Sequence, residues 1–351
     1  MKAERLHVVA LGARTPIGLG AESAAAALRA GVSRLEEQPF LVDSQRDVLT
    51  GASDPLLGVD APMLERLATM ALDALAQVLR KLSSASGELP RIHVALTTPE
   101  PRPGFDDADA DRLLHVLAQR TAAWGFEHRW EHVGRGHAGA CVALQRARSG
   151  ANGAQTLCLV GGVDSYHAPA TLLAWLRARR LATRTVRGGF APGEGAGFLA
   201  LAPERLMRSW GMRSLAQLRG VHTAQESARV LEGEVSRAEG LCEAVLGACA
   251  ELQLPDEAPE QLWSDVNGER HRAEEWGLLQ LRLGARLPTA AYQTPASSWG
   301  DVGAASVPLL AALACRSFAR DELPAKRALL WAGSDGGLRG AAVLERPAGR
   351  G

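Results

Sequence analysis

A few glycine-flanked polar positions could carry chemistry in this chain. His137 stands in Gly136-His137-Ala138-Gly139-Ala140-Cys141, where a turn runs into a helical stretch over 139–147. A histidine at a helix N-terminus tends to stay neutral, and neutral imidazole can act as a base or a nucleophile. Cys141 lies one helical turn deeper and reads as a buried packing residue. Cys158 sits in the strand-like run 156–160, and Cys242, Cys249 and Cys315 sit in Ala/Leu-rich helical stretches. These four also read as small buried apolar residues. With five cysteines and no CxxC, a disulfide framework is not expected, and a reducing compartment fits.

Other constellations fail on spacing. His128 and His132 share one face of the alternating run 127–133, but about 13 Å apart at roughly 3.3 Å per residue, too far for one metal. Asp106, Asp107, Asp109 and Asp111 lack the glycine and terminal glutamate of a calcium loop and fit a charged helix start. The turn 12–20 departs from GxGxxG and contains Pro16, so a plain strand–turn–helix is expected there. No metal and no cofactor are expected.

The chain has 351 residues, 46% apolar, enough for a large core. Acidic and basic residues balance at 39 each, so nucleic acid and anionic membrane are not expected partners. The tract Arg177-Ala178-Arg179-Arg180 reads as a solvated helix face. The first apolar run breaks at Gly12 and at Arg14-Thr15-Pro16, too short for a signal peptide. No later run has transmembrane length. A soluble cytoplasmic protein is expected.

The elements that must position these residues alternate. Strands are expected over 6–11, 92–97, 127–133, 156–160, 197–202, 215–222, 261–267, 329–332 and 341–345. Helices are expected over 21–30, 62–82, 109–124, 139–147, 204–210, 236–252 and 307–318. Gly161-Gly162 reads as a tight turn, and 255–259 is the most linker-like stretch. The alternation implies an α/β layered protein.

Four glycine motifs occur in order, and together they resemble the β-ketoacyl synthases of the thiolase-like fold. They are Leu159-Val160-Gly161-Gly162, Gly189-Phe190-Ala191-Pro192-Gly193-Glu194-Gly195-Ala196-Gly197, Gly303-Ala304-Ala305, and Gly333-Ser334-Asp335-Gly336-Gly337. The opening Val8-Val9-Ala10-Leu11-Gly12 with Thr15-Pro16-Ile17-Gly18 is similar to the family's first strand and turn. The resemblance covers nearly the whole chain. It implies a five-layer α-β-α-β-α fold of two similar halves, here 1–210 and 211–351.

The same resemblance places the family's nucleophilic Cys at His137, its first His at Asn267 and its second His at Gly300. The Lys five residues before that second His becomes Pro295. A helix end suits a thiolate there, and Asn cannot shuttle a proton. Condensation is therefore not expected. If the fold holds, His137, Cys141, Asn267, Trp299 and Asp301 surround a residual pocket, where a His137–Asp301 pairing for hydrolysis is the alternative to the favoured reading that His137 fills the Cys space and caps the turn. Glu194 is expected to satisfy backbone N–H groups.

The resemblance thus implies a non-catalytic accessory protein. One setting is an adaptor for type VI secretion effectors, suggested by Gly162-Val163-Asp164-Ser165 and the short chain. The other is a chain-length-factor-like silent subunit of a ketosynthase heterodimer. A thioester hydrolase or acyltransferase using His137 is the enzymatic alternative, and acyl carrier protein binding without turnover is a third reading. The family dimerises through the strand before the nucleophile, here 127–133. A homodimer, or a heterodimer with a ketosynthase-like subunit, is expected, with Trp130 suited to that interface.

Overall fold

The computed structural model describes residues 4–42, 48–83, 91–151, 156–228, 233–284, 286–287, 292–320 and 325–347. Apolar runs buried on both faces build most of its strands, as layered α/β sheets require. The chain opens with β1 (Leu6–Arg14) and α1 (Ala21–Arg29), then a two-stranded ribbon of β2 (Glu36–Val42) and β3 (Val48–Gly51). It continues through α2 (Met63–Ser83), β4 (Ile92–Thr98), α3 (Asp107–Thr121), β5 (His128–Arg135) and α4 (Gly139–Ser149). Next come β6 (Leu157–Ser165), α5 (Pro169–Arg177), β7 (Glu194–Pro203) and α6 (Glu204–Ser209). The remainder is β8 (Ala216–Gln225), α7 (Glu239–Ala248), β9 (Gln261–Ser264), α8 (Arg270–Leu283), β10 (Tyr292–Gln293), α9 (Ala296–Trp299), α10 (Ser306–Ala319), β11 (Arg327–Gly333) and β12 (Leu338–Glu345).

The strand order displays an internal repeat. It runs β5-β4-β6-β7-β1, then β8-β12-β11-β9-β10. Outward from the centre, each block has two antiparallel pairings followed by two parallel ones. Each strand of the first block thus has a counterpart at the same rank in the second. A short antiparallel contact of Leu6, His7 and Val8 with Leu218, Gln217 and Ala216 joins the blocks.

Three apolar clusters separate the layers. Leu67, Leu75 and Val78 of α2 and Leu113 of α3 pack on Leu96, Leu159 and Phe198 of the first block. Leu241 and Val245 of α7 and Leu279 of α8 pack on Leu329 and Val343 of the second. Between the blocks lie α1, α4 and α10, carrying Ala25, Leu144 and Leu309 into one shared core. The layers are therefore helix, sheet, helix, sheet, helix.

Several local expectations need correction. Gly161 and Gly162 do not turn; they lie inside β6. A Cβ on Gly161 would sit 2.1 Å from the Phe198 ring, and one on Gly162 would sit 2.1 Å from Ala304 O, so both glycines serve close packing. The segment 255–259 joins α7 to β9 within the second block and is not a linker. Helix α3 starts two residues earlier than expected, because Asp106 and Asp109 form a reciprocal capping box. The β2–β3 ribbon was not expected, and α5 ends at Arg177, where the tract 177–180 was read as a helix face. Cys141, Cys242, Cys249 and Cys315 are buried, while Cys158 is partly exposed. Among the described residues, no helix is long and apolar enough to cross a membrane.

Candidate functional site

Two chain crossings assemble the site. After β5, the turn at Gly136 delivers His137 to the start of α4, and Ala138 N–H donates to Ser334 Oγ at 3.0 Å. Opposite, the segment 299–301 crosses 191–193, with Asp301 N–H donating to Ala191 O at 2.8 Å. Gly300 makes this crossing at φ +76, and a Cβ there would sit 2.8 Å from Gly193 Cα and Pro192 O. No side chain fits at Gly300 without moving backbone.

The crossing aims Asp301 at His137. Nε2 of His137 lies 2.8 Å from Oδ1 and 3.0 Å from Oδ2 of Asp301, so it donates to the carboxylate. Both residues are buried. Asn267 Nδ2 donates to Asp301 Oδ2 at 2.5 Å and Gly303 N–H donates to Oδ1 at 2.8 Å. The carboxylate therefore has four donor contacts.

These contacts pull against the neutral imidazole expected at a helix end. Burial depresses the His137 pKa, but the charge and hydrogen bond of Asp301 outweigh it and leave it above the ordinary value. Burial likewise pushes Asp301 up, and His137 and Arg272 bring it well below the usual carboxylate range. His137 Nδ1 is buried with no partner among the described residues.

Charged side chains close the site. Arg272 Nη2 lies 3.5 Å from His137 Nε2, and Nη1 donates to Asp265 Oδ2 and Gly333 O, each at 2.7 Å. Arg180 reaches Glu269 Oε1 and Asp335 Oδ2, each at 2.7 Å. Asn267 Oδ1 accepts from Glu269 N–H at 3.0 Å, which fixes the turn before α8. The adjoining clefts are small. One, lined by Arg272, His271, Glu275 and Asp335, holds about 10 Å³, and another beside Trp299 and Asp301 holds about 10 Å³. Each has room for about one water molecule. Among the described residues no group of three or more His, Cys, Asp or Glu is placed to hold a metal.

No protein-family model matches the chain, and no curated protein matches it in sequence. Solved structures do match in shape. One is a type II polyketide synthase acyl-carrier protein in complex with its ketosynthase, at TM-score 0.79 and 15% identity over 99% of this chain and 100% of that one. A β-ketoacyl synthase from Burkholderia phymatum STM815 gives 0.77 and 15% over 98% and 100%. The ishigamide ketosynthase/chain length factor gives 0.74 and 17% over 99% and 100%. The chain has the ketosynthase, thiolase-like fold.

Within the ketosynthase fold, the residues singled out by sequence separate into two groups. His137, Asn267 and Asp301 meet through direct hydrogen bonds, and Gly300 forms the backbone crossing beside them. Trp299 is buried in the central core and lines one small cleft. Cys141 is buried against β12, where a Cβ on Gly340 would touch its Sγ at 2.7 Å. Burial pushes its thiol up to about 12. Glu194 accepts Asp54 N–H at 2.7 Å as expected, and also binds Arg66 at 2.7 Å and Ser165 Oγ at 2.8 Å. Arg180, Asp265, Glu269, Arg272 and Asp335 were missed. Their sequence signal is ordinary charge near glycine turns, and only the tertiary crossing buries them.

Proposed function

We propose that this chain is a non-catalytic protein on a ketosynthase scaffold, acting by holding a protein partner. One observation carries this reading. The position assigned to the nucleophile holds His137, locked on Asp301 within a buried charged cluster. A histidine whose Nε2–H is committed to a carboxylate has no base nitrogen free at that edge. Asn267, at the first histidine position, spends its amide on Asp301 and Glu269. Gly300, at the second, has no room for a side chain. The two clefts beside the cluster each have room for about one water molecule, which counts against the hydrolase and acyltransferase alternative.

The accessory role has two settings. Similarity in shape to a ketosynthase/chain length factor favours pairing with a ketosynthase-like subunit. The type VI effector setting rests on Gly162-Val163-Asp164-Ser165 and on length, since the chain spans only 73% of a bacillaene synthase ketosynthase. In either, β5 is the end strand of the large sheet and offers a pairing edge for a dimer. Trp130, expected at that interface, lies on this strand and is half-buried. It packs inward, edge-on to Phe198 at 6.4 Å, and donates to Thr121 Oγ1 at 3.1 Å.

Native co-purification of the tagged full chain, with mass spectrometry and light scattering, tests this reading. Recovery of a ketosynthase subunit places it in acyl-chain assembly; recovery of a secreted toxin makes it an effector adaptor. A partnerless monomer that turns over acyl thioesters overturns the proposal.

A further inference from the structure

The basic tract 177–180 at the end of α5 is solvated at Arg177, Ala178 and Arg179, as expected from sequence, but not at Arg180. Arg180 turns inward, stacks over Trp175 at 4.6 Å and binds Glu269 and Asp335. Arg177, Arg179, Arg184 and Arg187 remain exposed on the same segment. Among the described residues, none of these four guanidinium groups pairs with a carboxylate. The segment folds back on itself, with Phe190 N–H donating to Arg180 O and Thr183 N–H to Val186 O. Four unpaired cations thus share one loop on a chain of net charge zero.

A second observation is independent of charge. Helix α5 ends in a Schellman arrangement, with Arg180 N–H donating to Trp175 O at 2.9 Å and Arg179 N–H to Leu176 O at 3.0 Å. Its left-handed residue is Arg179, at φ +55. Glycine is the usual occupant there because a Cβ is strained in that region. The Arg179 side chain is exposed and unpaired, so the fold recovers nothing from it. A strained residue kept without a structural return points to a function for its side chain.

We infer that the loop 177–187, with Leu173 at its edge, docks an acidic segment of a protein partner. This rests on the accessory reading above and names the chemistry of the partner. Leu173 is 49% exposed and lies one helical turn from Arg177, so a partner meets cations and an apolar contact on one surface. A nucleic-acid strand calls for an extended basic stripe, whereas these cations are confined to one loop.

The test titrates a fluorescent poly-L-glutamate peptide into the full chain, with single-stranded DNA of equal formal charge for comparison. Both titrations are repeated with Arg179→Gly and with the triple variant Arg177→Gln, Arg184→Gln, Arg187→Gln. Polyglutamate is expected to bind more tightly than DNA at matched salt. Arg179→Gly weakens it about two- to fivefold with an unchanged or higher thermal midpoint, and the triple variant weakens it by about tenfold. Absent binding, affinity unchanged in both variants, or preference for DNA overturns the inference. Acyl-thioester turnover is measured on the same samples. Turnover with loop binding intact defeats only the non-catalytic reading; lost loop binding without turnover defeats only this one.

Discussion

Nε2 of His137 lies 2.8 Å from Oδ1 of Asp301, joining the start of α4 to a segment 164 residues further along the chain. The contact is buried, bonded on every side of the carboxylate and flanked by Arg272. Catalytic histidines need access to a proton donor or acceptor in the substrate. This one has its Nε2–H held by a buried carboxylate. The pair ties the start of α4 to the 299–301 crossing.

Removing one partner of a buried pair leaves an uncompensated charge. Asp301→Ala strips His137, Asn267 and Gly303 N–H of their shared acceptor at once. Denaturant unfolding should show a loss of about 3–5 kcal/mol. A loss below about 1 kcal/mol would mean that water reaches the site freely.

The pair also sets a pH window. His137 is raised above its ordinary 6.5, so its contribution is full below that value and fades as pH climbs through the folded-state value. Asp301 is lowered from 3.8, so its contribution is present above that value and fades as pH falls through the folded-state value. The pair therefore stabilises most between about pH 4 and 6.5. From about pH 6 to about pH 9 the thermal midpoint should fall further in the wild type than in His137→Gln. Parallel profiles would remove the ion pair from the account.

Gly300 holds the crossing that aims Asp301. Gly300→Ala adds a Cβ 2.8 Å from Gly193 Cα at a positive φ, and should cost about 1–3 kcal/mol. Gly300→His should do no better than alanine in stability and should not create thioester turnover. Turnover in that variant, alone or combined with His137→Cys, would mean that the pocket can reopen.

Cys141 should resist alkylation. Its thiol is buried against Gly340 and pushed up to about 12, leaving almost no thiolate near neutral pH. Iodoacetamide footprinting should label it only at the rate of unfolding. Rapid native labelling would reopen the question of a thiol nucleophile.

Arg179→Gly should stabilise the fold by about 0.5–1 kcal/mol, since relief of the left-handed strain exceeds the extra chain entropy of glycine. Equilibrium unfolding measures this separately from the binding loss. Destabilisation would mean that the arginine serves the fold after all.

Much of the layer pattern is legible in the sequence because buried strands and helices carry dense apolar runs. Leu157 to Val160 and Leu329 to Ala332 announce themselves in this way. Gly161-Gly162 misleads, since a glycine pair looks like a turn until Phe198 and Ala304 are seen pressing on it. The internal repeat is invisible to residue matching and emerges only from strand order. At the site, His137, Asn267 and Asp301 are found through motif order. Arg180, Arg272 and Glu269 are not, because a charged residue in an ordinary helical stretch reads as solvated. The pull toward neutrality expected of His137 is opposed for the same reason: helix position is local information, while the Asp301 charge arrives from a distant crossing.

The most direct test of the account is single-turnover reaction of the full chain with an acyl-pantetheine thioester, followed by intact mass and thiol release. The account predicts no acylated protein and no release above the uncatalysed rate, in the wild type and in His137→Ala alike. A stoichiometric acyl adduct, or turnover abolished by His137→Ala, would contradict it.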